Sequence, residues 1–232
     1  MCGIVGYVGH RSAQEVLLSG LERLEYRGYD SAGISIQAAG ELQAVRAVGN
    51  LQALRAAVET IGEGGGVAVA APPATTGIGH TRWATHGRVC EENAHPHFDA
   101  EDRVHIVVNG IVENYVELKQ QLLERGFEFT SETDVEVVAH LLAEELDGGA
   151  SLAEAVRRTY NRLRGHYAFV AVAADEPGVI VALARSARSW SAGATTSSSW
   201  RPGSPPSSPT RATSSSSRTA RSSSSARTAW SS

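Results

Sequence analysis

The second residue, Cys2, is where the chemistry of this chain can begin. The chain opens Met1-Cys2-Gly3-Ile4-Val5-Gly6-Tyr7. Cysteine is small enough for an aminopeptidase to remove Met1, which would leave a thiol and a free α-amine on one residue. The thiolate is the nucleophile, and a thiol at neutral pH is only partly ionised. An α-amine with a reference pKa of about 8 can take the thiol proton, so such a residue carries its own base and needs no partner histidine. Read alone, the same heptad is a start codon followed by an ordinary cysteine. Polar residues concentrate again in Tyr26-Arg27-Gly28-Tyr29-Asp30-Ser31-Ala32-Gly33, in His80-Thr81-Arg82-Trp83-Ala84-Thr85-His86-Gly87 and in Asn93-Ala94-His95-Pro96-His97. Asn109-Gly110-Ile111-Val112-Glu113-Asn114-Tyr115 and Ser131-Glu132-Thr133-Asp134 follow. His80, His86, His95 and His97 with Cys90 match no ordered zinc-ligand spacing, so no metal is expected.

These stretches need elements to hold them. Gly3 and Gly6 let other backbone approach, and Ile4, Val5 and Tyr7 predict a buried strand over 3–8. Ser12-Ala13-Gln14-Glu15 is a capping box that opens a helix with Val16, Leu17, Gly20, Leu21 and Leu24 on one face. A strand pair is predicted over 33–38 and 42–48, then a short helix capped by Asn50 with Leu51, Leu54 and Val58 inward. Residues 62–77 read as a surface loop. A strand over 104–108 is expected to end at Asn109-Gly110. A helix from Asn114 would bury Leu118, Leu122 and Leu123 and stop at Gly126. Asp134 stands where it could cap a helix carrying Val137, Val138, Leu141 and Leu142. A second capping box, Ser151-Leu152-Ala153-Glu154, opens another helix, and two apolar strands over 166–174 and 178–184 meet at Asp175-Glu176-Pro177-Gly178. The order lacks strict βα alternation and suits packed antiparallel sheets with helices outside.

Composition narrows the function classes. The net charge of -4 conceals an acidic body, because six of the 21 Lys and Arg residues lie beyond residue 186 and no acid does. That balance argues against non-specific nucleic-acid binding. No signal peptide and no membrane span are visible, which points to the cytoplasm. Two cysteines make no disulfide framework.

The six stretches, in this order, resemble class II glutamine amidotransferases over residues 2 to about 186. The branch that passes ammonia to fructose 6-phosphate matches best. Tyr26 to Ser31 and Arg82 to Gly87 favour it over amidophosphoribosyltransferases, asparagine synthetases and glutamate synthases. The resemblance implies an α+β fold, the four-layer αββα sandwich of the N-terminal nucleophile hydrolases. It implies L-glutamine as substrate and no cofactor. Cys2 would attack the side-chain amide to give a glutamyl thioester and ammonia, with its α-amine as base through a water. Asn109 and the Gly110 N–H would form the oxyanion hole, although an Asn-Gly pair read alone is a turn. Arg82 would take the substrate carboxylate, with Thr85 and His86 as further donors. Asp134 would hold the ammonium, Trp83 would be a hinged cover, and Arg27 would order the N-terminus. Read alone, Arg82 is a surface charge and Trp83 a core aromatic. Val108 stands where many relatives have histidine. In the family a pair of sugar-isomerase domains follows, binds fructose 6-phosphate and carries most of the homodimer contacts. No such segment is expected among these 232 residues. The alternative class is a non-catalytic remnant. The complete set Cys2, Arg82, Asn109, Gly110 and Asp134 argues against it, and the chain length argues for it.

Residues 187–232 have 18 serines and no Leu, Ile, Val, Phe, Asp, Glu or Lys. No core can form from that composition, so a disordered tail is expected. A shifted reading frame can restore Pro-Leu-Leu-Val-Gly over 187–192 and Asp-Asp-Glu-Phe-Phe-Val-Ala-Ser over 194–202, segments like those that follow in relatives. The tail therefore reads as out of frame. Loss of the following strands would leave apolar surface on 166–184 uncovered.

Overall fold

Two antiparallel sheets lie face to face with helices on the outside. The computed structural model describes residues 2–63, 74–84, 87–185 and 190–196, with the side chains of 61–63 and 190–196 left aside. The strands are β1 Gly3–Val8, β2 Ser31–Ala38, β3 Glu41–Val48, β4 Thr76–Arg82, β5 His97–Phe98, β6 Val104–Val112, β7 Gly165–Ala173, β8 Val179–Arg185 and β9 Trp190–Thr196. The helices are α1 Ala13–Glu22, α2 Leu51–Glu63, α3 Tyr115–Glu124, α4 Glu136–Asp147 and α5 Leu152–Arg162. One sheet has the order β1-β4-β2-β3 and the other β5-β6-β7-β8-β9.

Side-chain alternation builds the layers. Along β6, Val104, Ile106 and Val108 turn toward the helices while Val107 turns toward the other sheet. Tyr167, Phe169 and Ala171 of β7 do the first, and Val170 and Val172 the second. Both faces are buried, which is why β6 to β8 read as nearly unbroken apolar runs. The outer core of this sheet is filled by Leu118 and Leu122 of α3, Val138, Leu141 and Leu142 of α4, and Leu152 and Val156 of α5. The outer core of the other sheet takes Leu17 and Leu21 of α1 with Leu51, Leu54 and Val58 of α2. Leu42, Ile78, Val107, Val172 and Ile180 fill the seam between the sheets. This is the expected four-layer αββα sandwich.

Local signals placed most elements. Ser12 Oγ accepts from Glu15 N at 3.4 Å, and Ser151 Oγ accepts from Glu154 N at 3.4 Å. Neither glutamate completes a box; Glu154 instead pairs with Arg157 and Arg158. Four expectations need correction. β6 does not end at Asn109-Gly110 but continues to Val112, because β7 supplies partners through Gly165. Leu123 is 51% exposed, since α3 turns only Leu118 and Leu122 fully inward. Asp134 does not cap α4: the capping position is Val135, and the Asp134 carboxylate is drawn instead to Val112 N at 2.7 Å. The stretch expected to lack structure contains β9, which pairs with β8 from Val179↔Thr196 to Arg185↔Trp190. Backbone pairing at a sheet edge needs N–H and C=O groups and no particular side chain. Ile180, Val181 and Leu183 of β8 are buried, not uncovered. The remaining tail residues lie outside the described residues.

Candidate active site

The start of β1 and the end of β4 meet side by side. Gly3 pairs with Thr81, which puts Cys2 next to the Arg82-Trp83 peptide. Trp83 N lies 3.2 Å from Cys2 Sγ, so the sulfur sits against a backbone donor. Thr81 Oγ1 accepts from Gly3 N at 3.2 Å and fixes the backbone directly after the nucleophile. Asp30 clamps the segment from the other side. Its N–H donates to Arg82 O at 3.1 Å, and its carboxylate accepts from Ala84 N at 2.7 Å. Gly28 is required there, because a Cβ would fall 2.7 Å from the carbonyl carbon of Arg82.

β6 brings the second half of the site from the facing sheet. Asn109 Nδ2 donates to Cys2 O at 3.2 Å, and Asn109 Oδ1 lies 2.8 Å from His80 Nε2. Gly110 follows at φ +118°, in the region that favours glycine. A Cβ at Gly110 would stand 2.6 Å from Tyr167 Cα, so the strand can twist here only without a side chain. The twist leaves Gly110 exposed at the mouth of a cavity.

That cavity has a volume of about 410 Å³ and is lined by Cys2, Arg27, His80, Arg82, Trp83, Asn109, Gly110 and Asp134, among others. Arg82 is 5% exposed. Its guanidinium donates to Arg88 O at 3.2 Å, which holds the fork in the wall. Burial pulls its pKa below the ordinary value, and the nearby Cys2, Cys90, Asp30 and Asp134 groups oppose that pull. Asp134 is 4% exposed and lines the same cavity. A buried cation and a buried carboxylate thus face one cavity beside a thiol. Trp83 lies at the rim, 45% exposed, edge-on to Tyr29 at 5.5 Å. It is neither a core aromatic nor packed away. Arg27 sits in a 3-10 turn over Glu25–Arg27 and also lines the cavity. Thr85 and His86 lie outside the described residues.

The rim loops are tied by residues that were given no role from the sequence. Asn93 Oδ1 accepts from Glu132 N at 2.8 Å, and Asn93 Nδ2 donates to Glu132 at 3.1 Å. Glu132 also pairs with Arg88 at 3.1 Å. Their signal was a carboxylate and an amide embedded in glycine- and proline-punctuated loops, which reads only as polarity until the loops meet. His80, His95 and His97 pack in a buried row, the first pair tilted and the second edge-on, with ring centroids 4.0 Å and 4.7 Å apart. Burial holds His80 down to about 4 and His97 to about 3, so both are neutral near pH 7.

Comparison with known proteins gives this geometry a family. Residues 80–188 match a model described as a glutamine amidotransferase domain. The chain is 53% identical over 186 residues to a glutamine–fructose-6-phosphate aminotransferase [isomerizing] of Streptomyces coelicolor, covering 80% of this chain and 29% of that protein. A protein of the same name from Thermosynechococcus vestitus is 50% identical over 184 residues, covering 78% and 28%. The chain therefore spans about three tenths of the length of these curated relatives. Among solved structures, the glutamine phosphoribosylpyrophosphate amidotransferase of B. subtilis aligns with a TM-score of 0.61 at 26% identity, covering 79% of this chain and 37% of that one. A structure titled the allosteric regulatory enzyme of purine biosynthesis aligns with a TM-score of 0.64 at 27% identity, with the same coverage. The four-layer sandwich, the thiol at the head of β1 and these similarities together make this chain a member of the glutamine amidotransferases, carrying their glutaminase domain on an N-terminal nucleophile hydrolase fold.

Proposed function

We propose that this chain hydrolyses L-glutamine to glutamate and ammonia, as the glutaminase half of glucosamine 6-phosphate synthesis from fructose 6-phosphate. The observation that carries the reading is one cavity lined by a thiol, a buried guanidinium, a buried carboxylate and an Asn-Gly pair from the facing sheet. A glutamine molecule presents the complementary groups. Its α-carboxylate suits the Arg82 fork, with Thr85 and His86 as further donors, and its α-ammonium suits Asp134. The side-chain amide is then left for Cys2, with Arg27 ordering the N-terminus and Trp83 as the hinged cover at the rim.

Removal of Met1 exposes the Cys2 α-amine, which takes the thiol proton through a water. Sγ attacks the amide carbon and its carbonyl oxygen becomes an oxyanion. Asn109 Nδ2 and Gly110 N supply the donors for it, and loss of one such donor typically costs about 10²- to 10³-fold in kcat. The C–N bond breaks, the nitrogen takes the proton from the ammonium and leaves as ammonia, and a thioester remains. Water then attacks the thioester carbon, which releases glutamate and restores the thiol. The 53% identity to a sugar-phosphate aminotransferase, against 26% for the phosphoribosylpyrophosphate enzyme, supports fructose 6-phosphate as the acceptor chemistry of the longer reaction. A cytoplasmic setting accords with two free cysteines, Cys2 and Cys90. We take residues 2–186 as the glutaminase domain and 187–232, with their 18 serines and no acid, as out of frame.

The test is release of glutamate from glutamine by the wild-type chain and by Cys2→Ala. The wild type should turn over and the variant should not. Equal rates would reject the nucleophile.

A further inference from the structure

Asn109 can serve an oxyanion only if its amide offers nitrogen to the cavity and keeps oxygen away. Its two partners settle that choice. The carbonyl of Cys2 only accepts, so the group 3.2 Å from it must be Asn109 Nδ2. Asn109 Oδ1 then faces His80 Nε2 at 2.8 Å, and Oδ1 also only accepts. The proton of that bond therefore belongs to Nε2 of His80. His80 is 1% exposed and neutral near pH 7, and a neutral imidazole carries one N–H. That bond selects the Nε2–H tautomer and leaves Nδ1 without a hydrogen-bond partner, although a backbone contact with Val108 also bears on the ring. The bond also spans the seam: His80 stands on β4, paired with Ile4 of β1, and Asn109 stands on β6. It ties the sheet that carries the nucleophile to the sheet that carries the oxyanion donor. The His95 ring packs 4.0 Å from the His80 ring and limits its rotation.

We propose that His80 is a positioning residue which locks the Asn109 amide with its nitrogen toward the oxyanion. The proposal rests on the glutaminase reading above. Without His80, Oδ1 loses its donor, and only the 3.2 Å bond from Nδ2 to the Cys2 carbonyl still opposes a turn of the amide about its Cβ–Cγ bond. The turned amide would present oxygen to a developing negative charge.

Two measurements test it on the full chain. Long-range proton–nitrogen NMR on histidine-labelled wild type should report the Nε2–H tautomer for His80; the Nδ1–H tautomer would overturn the proposal without reference to activity. His80→Leu should lower kcat for glutamine by about ten- to hundredfold, the scale of a weakened oxyanion donor, with KM nearly unchanged. His80→Gln keeps a donor near the same place and should recover most of kcat. Alkylation of Cys2 by iodoacetamide needs no oxyanion hole, and its suppression by excess glutamine should be alike in all three proteins, which shows the site folded. Unchanged kcat in His80→Leu, or equal loss in both variants with Cys2 alkylation intact, would overturn this inference and leave the glutaminase reading standing. A wild type that alkylates at Cys2 yet hydrolyses no glutamine would overturn that reading and the inference with it. Were His80→Leu to lose Cys2 alkylation, the tautomer and the glutamine variant decide.

Discussion

At Cys2, nucleophile and proposed base share one residue, so their geometry depends on the N-terminus itself being free. Retention of Met1, or any N-terminal tag, converts the amine to an amide that cannot take a proton. Such a form should lose turnover by at least about 10²-fold, the usual worth of a positioned base, while still binding glutamine. Ammonia release before and after removal of a cleavable tag checks this, and full activity with the tag in place would contradict it. Substrate recognition is separable. Asp134→Asn keeps an oxygen for Val112 N but removes the charge that would meet the ammonium. A buried ion that loses its partner costs a few kcal/mol, so KM for glutamine should rise by about 10²-fold with a smaller change in kcat. Saturation kinetics decide it, and an unchanged KM would remove Asp134 from the site. His80 shows what single residues hide: its value lies in a partner 29 positions away on another sheet.

The elements set the stability that these residues rely on. His80 and His97 are buried neutral and have pKa values held to about 4 and about 3, against about 6.5 unfolded. Between pH 6.5 and those values the unfolded chain binds more protons than the folded one. Stability must therefore fall as pH drops, by roughly 1.4 kcal/mol per pH unit for each such histidine. Glu136 of α4 adds to the loss at lower pH. Desolvation raises its pKa, but His140 at 3.7 Å and hydrogen bonds from Ser131 and Thr130 overcome that and hold it near 2. Its contribution is complete above the unfolded value and vanishes as pH falls through about 2. Urea midpoints should decline steadily from pH 6.5 downward, and a flat profile to pH 4 would contradict the buried row. Gly110→Ala tests β6 separately. The positive φ and the approach to Tyr167 predict a loss of about 2–4 kcal/mol by the same urea assay. Periodicity made β1, α1, β7 and β8 legible, since their apolar spacing is set by local geometry. It missed β5, two residues long, and the continuation of β6, because both are decided by a partner strand distant in sequence. The Asp134 carboxylate was misplaced as a cap for the same reason: its competing donor, Val112 N, is 22 residues away. The chemistry at Cys2 needed only adjacent residues, whereas the Asn93–Glu132 clamp needed the fold.

At the scale of the whole molecule, the described residues form one sandwich, and a cavity of about 410 Å³ lined by Cys2, Arg82 and Asp134 opens where its two sheets meet. No helix among them is long and apolar enough to cross a membrane. The chain spans 29% of its Streptomyces coelicolor relative, whose name couples glutamine to fructose 6-phosphate. Assayed as these 232 residues with both compounds, the protein should release ammonia to water and yield no glucosamine 6-phosphate. Detection of the amino sugar by mass spectrometry would show that the chain holds a sugar-phosphate site as well. The most direct measurement of the central claim is peptide mapping after reaction with a glutamine-analogue electrophile. The label should fall on Cys2, spare Cys90 and be suppressed by excess glutamine. Label on Cys90, or label on Cys2 that glutamine does not suppress, would contradict a glutamine site built around an N-terminal thiol.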